Sequence, residues 1–210
     1  MSELKPGADL VGADLSEAML YGADLTGAIL YEANLHKALL RNANLTRANL
    51  RYAKASRVDM TGANLTGADA TSAELRSASL READLTHTDL SHARLNHTDF
   101  GFANLTDARF LFADLTGVNF SGAILKGANF SFANLTGAKG IIYFFFDKRN
   151  FTLIMFSNPD GTHGFTSGCQ SFDSADAAIE HWEGIDYPSR SRGKMYADAI
   201  RLMDKMEIPQ

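Results

Sequence analysis

The residues best suited to chemistry in this 210-residue chain are six histidines and one cysteine, and spacing decides what they can do. His87, His92 and His97 recur at intervals of five. On one shared face they could hold a metal ion, whose ligands must converge to about 2 Å. In the last third, His163, Cys169, Asp173 and His181 supply the residue types of a nucleophile, a base and an orienting carboxylate. No Gly-rich phosphate loop, zinc pattern or nucleophile elbow accompanies either group. The decision rests on the backbone that must position them.

From Ala8 to Leu135 that backbone repeats every five residues without a slip. The 26 repeat centres fall on multiples of five, and 23 are Leu or Phe, leaving Ala55, Met60 and Ala70. Two residues before the centre stands Ala in 22 of the repeats, and between them Asp or Asn in 17. On an α-helix, five residues turn the chain by about 500°, so the Leu positions would wind around every side. On one continuous strand an odd period sends successive Leu to opposite faces. Within one repeat, however, Ala and Leu are two apart and share a face. A chain that corners once per repeat therefore points all of them into one interior, with Gly12, Gly22, Gly27, Gly62 and Gly67 at the corners where a positive φ is needed. Stacked coils of this kind form parallel ladders at about 4.8 Å.

Ala-Asp-Leu-Thr-Gly at residues 23–27 and 113–117 and Ala-Asn-Leu-Thr-Gly at 63–67 resemble the pentapeptide-repeat family. The resemblance covers about two thirds of the chain. It implies a mainly β fold, a right-handed quadrilateral β-helix with four repeats per coil. Six and a half coils make a rod roughly 30 Å long. Five-residue steps then move His87, His92 and His97 to different corners, so they are expected as surface histidines. The catalytic reading of Cys169 is weak, and no catalytic residue, cofactor or metal is expected. A filled rod offers flat faces and two ends, which suit macromolecular partners.

Composition narrows the class of partner. Net charge is −5, and residues 1–140 hold 15 acidic and 13 basic side chains, so direct nucleic-acid binding is not expected. No apolar run reaches the roughly 18 residues of a membrane span. One cysteine rules out an internal disulfide framework and favours a reducing compartment, the cytoplasm by default.

Residues twenty apart stack, which sorts the surface into four faces. Thr26, Thr46, Thr66, Thr86 and Thr106, beside Asp24, Asn44, Asn64, Asp84 and Asn104, read as an Asx–Thr ladder, with a flat ligand-binding surface as the alternative. Lys37, Lys54, Arg57, Arg76 and Arg94 share the one mildly basic face, interrupted by Glu74. It reads first as a solvated surface and second as a site for an acidic partner. Phe102, Leu111, Phe112 and Phe132 point outward near the C-terminal end, and cover by the following segment is expected, with an interaction surface for an external partner as the alternative. Phe100 over Phe120 and Phe110 over Phe130 should stack inside. Ala55 and Ala70 lack volume, and Ala55→Leu is expected to raise the melting temperature.

After Gly140 the rhythm stops. Strands at 141–147, 151–157 and 164–172, a helix at 173–182 capped by Asp173, and a final helix at about 191–206 read as a small α+β module that caps the rod. The expected division is a repeat solenoid at 1–140 and this module at 141–210. Together they suggest a non-enzymatic interaction scaffold or regulator engaging a protein partner of unknown identity, with the module as a route to homo-oligomers. The family resemblance supplies an alternative, a DNA-mimicking modulator of DNA gyrase or topoisomerase IV. The weak net charge and the absence of an inserted loop count against it.

Overall fold

The computed structural model describes residues 4–146, 151–157, 163–167, 170–172, 174–184 and 197–201. From Asp9 to Lys139, the residue before each repeat centre bridges in parallel to the residue twenty further on, as Asp9 to Ile29, Asn64 to Asp84 and Asn119 to Lys139. The register never shifts. Four five-residue repeats therefore close each coil, and the period of five becomes a period of twenty in space.

A repeat with Asp or Asn before its centre places all five of its backbone N–H groups, as residues 33–37 illustrate. Ala33 donates back to the Leu30 carbonyl at 3.0 Å, closing a turn, and Asn34 donates down one coil to Ala13 at 2.9 Å. Leu35 and Lys37 donate up one coil, to Lys54 at 2.8 Å and Ser56 at 3.1 Å. The fifth, His36 N–H, goes to the Asn34 side chain at 3.1 Å. That last bond explains why Asp or Asn recurs. Each of the 17, from Asp9 to Asn134, accepts the N–H two residues on and so clips its corner.

Every corner from residue 7 to residue 137 has φ between 55° and 72°. Ten of those corners are Gly, but 17 are not, and they include Tyr52, Phe102 and Phe112. Ladder and interior together impose the left-handed conformation on residues that resist it by about 1–2 kcal/mol each. The corner is set by the fold and not by its occupant.

Ala and Leu line the interior throughout, with Leu25, Ala28, Leu30 and Leu35 fully buried. Near the C-terminal end the expected Phe columns form. Phe100 stacks on Phe120 at 5.6 Å and Phe110 on Phe130 at 4.8 Å, while Phe110 meets Phe120 edge-on across the bore at 6.2 Å. Edge-to-face and offset contacts of this kind add about 0.5–1.5 kcal/mol each beyond burial. A small void lies beside Ala55 and Ala70, lined also by Leu50, Ala53, Met60, Leu65, Ala73 and Leu75, with a volume of about 10 Å³. Met60 is fully buried and lines the same void, where its flexible side chain adapts to the space beside the two Ala centres.

The segment after the rod is an antiparallel sheet of four strands in sequence order: β1 (Ile142–Phe146), β2 (Phe151–Ser157), β3 (His163–Ser167) and β4 (Gln170–Phe172). The single strand expected at 164–172 is a hairpin, with Phe165 paired to Phe172 and Ser167 to Gln170. Helix α1 spans Ala175–Gly184. It begins two residues later than its residue types suggest, because the Ser174 hydroxyl accepts the Ala177 N–H at 3.2 Å and serves as the cap. Asp173 lies outside the described residues. So does most of the expected final helix, of which 197–201 are helical. Ile141, Ile154 and Phe156 continue the core of the rod. The Thr166 hydroxyl donates to the Ala128 carbonyl at 2.9 Å, where a further coil would otherwise bond. Among the described residues no helix is long and apolar enough to cross a membrane.

Candidate interaction surfaces on the rod

The twenty-residue register fixes which side chains meet on the surface. His87, His92 and His97 stand on three successive corners and do not converge. His87 faces Asp107 at 3.7 Å, His92 lies flat on Phe112 with ring centroids 5.1 Å apart, and a Cβ on Gly117 would meet the His97 ring. Of the second group, His163 opens β3 and His181 belongs to α1, whereas Cys169 and Asp173 lie outside the described residues.

The Thr face is the expected ladder. Asp24, Asn44, Asp84 and Asn104 each accept both the N–H and the hydroxyl of the Thr two residues on, the hydroxyls at 2.6–2.7 Å. Hydrogen bonds from Thr26 hold the Asp24 carboxyl below its ordinary value. On Asp114, burial pushes upward, but the hydroxyl and N–H of Thr116, the Asn96 amide and the Arg76 charge outweigh it and lower the pKa.

The expected aromatic cluster is divided. Phe112 and Phe132 stack at 4.7 Å and extend from His92, forming a three-ring column on one corner beside half-buried Leu111. Phe102 stands two corners away, on the diagonal, with the Arg81 guanidinium 5.6 Å from its ring. The C-terminal sheet does not cover them: Phe102, Phe112 and Phe132 are 61%, 52% and 43% exposed. The reason is the direction of docking, since Ile154 and Phe156 stack on the end of the rod instead of folding back along its side.

Lys37, Lys54, Arg57, Arg76 and Arg94 do share one face, through the bridges Asn34–Lys54, Lys54–Glu74 and Glu74–Arg94. Pairing across coils removes much of its basic character. Lys37 contacts Glu17 and Arg94 contacts Glu74, both at 3.1 Å, and Arg76 Nε donates to Asn96 at 3.3 Å. Lys54 and Arg57 make no ion pair among the described residues. Beside Lys54 the face dips into an open concavity of about 400 Å³, lined by Ser16, Glu17, Asn34, His36, Lys54, Ser56 and Glu74.

Carboxylates on the other faces are neutralised in the same way, Arg41 to Asp59 at 3.8 Å, Arg51 to Asp69 at 3.6 Å, Arg81 to Asp99 at 3.2 Å and Arg109 to Asp89 at 3.5 Å. Sequence reasoning missed this, although the partners lie 18 or 20 apart and follow from counting.

Comparison with solved structures finds similarity to HetL from the cyanobacterium Nostoc sp. strain PCC 7120, a pentapeptide-repeat protein described as involved in heterocyst differentiation regulation. Identity is 34% over 63% of this chain and 70% of that one, with a TM-score of 0.46. A trypsin-treated form of QnrB1, a plasmid-mediated fluoroquinolone resistance protein, aligns at 22% identity over 65% of this chain and 72% of its own, with a TM-score of 0.57. Full-length QnrB1 aligns at 20% identity over 64% and 74%, with a TM-score of 0.53. At those identities the likeness is one of fold. No curated protein matches the chain. The family model for pentapeptide repeats matches in overlapping copies across residues 8–139, and together with the unbroken twenty-residue ladder this establishes that the chain belongs to the pentapeptide-repeat family.

Proposed function

We propose that this protein is a non-enzymatic interaction scaffold, a rigid right-handed β-helical rod that presents fixed surfaces to a protein partner in the cytoplasm. The observation that carries this reading is the filled bore. Its side chains are buried from Leu25 to Leu135, and the void beside Ala55 is no larger than one water molecule, so the rod's chemistry is confined to its outside. The family is generally non-catalytic. The column of His92, Phe112 and Phe132 is the most apolar exposed feature of the upper coils, and aromatic rings locked by stacking are low-entropy anchors. The module at 141–210 closes one end and is the natural place for a second copy to attach.

The test uses Phe112→Gly combined with Phe132→Gly, which fits the corner conformation and leaves the fold intact. Isothermal titration with a partner isolated on the wild-type protein should show at least tenfold weaker binding. Unchanged affinity would refute the aromatic edge as the contact. The second reading, a DNA-mimicking modulator of gyrase or topoisomerase IV, draws on the fold likeness to QnrB1. Paired carboxylates argue against it, because arginines close to Asp59, Asp69, Asp89 and Asp99 cancel the phosphate-like field that a mimic needs. A supercoiling assay separates the two: inhibition or protection at micromolar protein would favour the mimic.

A further inference from the structure

Residues 53–57, Ala-Lys-Ala-Ser-Arg, break the repeat's own rules at two positions at once. Lys54 replaces the Asp or Asn that clips the corner and Ala55 replaces the central Leu, and beside them Arg57 occupies a left-handed corner at φ 60°. Local violations of this kind concentrate where a chain trades stability for function. The loss of the clip has a direct consequence. With Lys at position 54, the Ser56 N–H has no hydrogen-bond partner among the described residues, whereas its counterpart His36, one coil below, donates to Asn34. The next two coils of the same face also lack the clip, with Glu74 and Arg94 in its place.

We infer that this corner is an anion slot that takes an Asp or Glu carboxylate from an acidic segment of a protein partner. Three donors belong to it, the Ser56 N–H and hydroxyl and the Lys54 ammonium, and Arg57 occupies the next position, on the adjoining corner. Ser56 and Lys54 line the 400 Å³ concavity, with the His36 ring beside them. Arg57 stands on the corner directly above Lys37 in the twenty-residue register. Both cations are exposed and lack an ion pair among the described residues, so a carboxylate meets charge that nothing else has compensated. The carboxylates nearby are spoken for, Glu17 by Lys37 and Glu74 by Arg94. Their charge still bars a continuous phosphodiester chain, which would run past Glu17, Glu74 and Asp114 in turn, but it leaves room for one carboxylate. This inference rests on the scaffold reading and adds the chemistry of the partner.

Two substitutions test it without threatening the fold. Lys54→Asn restores the clip, and Arg57→Gly supplies the residue that the corner favours. Each should raise the melting temperature by about 1–3 °C, from one hydrogen bond or one relieved corner. Each should also weaken binding of a fluorescein-labelled peptide of alternating Glu and Gly about tenfold, as read by anisotropy at low salt. The Gln-for-Glu peptide should not bind, and Arg47→Gln, on the opposite face, should leave the affinity unchanged. Absence of peptide binding by the wild type, or equal affinity in Lys54→Asn, overturns the slot. Tighter binding of an oligothymidylate than of the peptide overturns it too, in favour of nucleic acid. None of these results touches the titration that tests the scaffold reading, so the two can fail separately.

Discussion

The sharpest test of the architecture is a pair of opposite substitutions at its corners. Gly27 has φ 64°, and a Cβ built on it would meet nothing within 4 Å, so Gly27→Ala perturbs the backbone and nothing else. An L-residue in the left-handed region costs about 1–2 kcal/mol. Replacing Gly returns about 0.5–1 kcal/mol by restricting the unfolded chain. The net expectation is a loss of about 1 kcal/mol, or about 2–4 °C in Tm for a chain of this size. Ser77 has φ 55° and is exposed, so Ser77→Gly runs the same ledger backwards and should gain about 0.5–1 kcal/mol. Urea unfolding followed by circular dichroism would read both as shifts in midpoint at constant slope. If Gly27→Ala proves neutral or stabilising, or if both variants shift the midpoint the same way, the corners are not held as described.

Other perturbations probe the interior, the clips and the cap. The void beside Ala55 is about 10 Å³, a cost of only ~0.2 kcal/mol at about 24 cal/mol per Å³. Three extra carbons exceed that room, so Ala55→Leu is now expected to lower Tm through overpacking worth about 1–3 kcal/mol, reversing the expectation from residue types, and a rise would show that Met60 yields its space. Phe110→Ala removes a fully buried ring from both an intra-column stack and an edge contact across the bore, and should cost about 3–5 kcal/mol by chemical denaturation. Gly140→Ala would set a Cβ 2.6 Å from backbone atoms of Phe120 and Ser121, which cannot move aside as a side chain could, so it should destabilise more than Gly27→Ala in the same urea assay. The carboxyls of Asp14 and Asp24 are lowered mainly by hydrogen bonds from Ser16 and Thr26. Depressed carboxylates stabilise the fold above their unfolded pKa, and that contribution is lost as pH falls through the folded value, below about 4. Asp14→Asn with Asp24→Asn keeps the clips without the titration, so the drop in Tm between neutral pH and pH ~3 should be smaller than in the wild type.

Much of this was legible in the residues because a five-residue rule is local. Leu10 and Leu30 differ by one full coil, and nothing long-range was needed to place both inside. The Phe columns followed from counting, and β2 could be read to the residue because its apolar run is bounded by turn residues on both sides. Where reading failed, the deciding contact was tertiary. Residue types said that Phe102, Phe112 and Phe132 want cover, but the docking direction of Ile154 and Phe156 leaves them open. Corner strain at Tyr52 or Phe112 was equally hidden, since neither residue type announces a positive φ. The hairpin of β3 and β4 was readable in principle, as Gly-Cys at 168–169 is a two-residue, glycine-containing turn signal in the sequence.

The fixed step of twenty sets an arithmetic for how such a chain can change length. Losing one residue in mid-rod would turn every later Leu toward water. Losing five would keep each side chain on its proper side of the wall but swing all later storeys by a quarter turn. The column of His92, Phe112 and Phe132 would then lie over a different set of lower neighbours. Only a gain or loss of twenty leaves both the wall and its decoration aligned, so it is the pattern outside the rod, more than the packing within, that ties this protein to whole-storey edits.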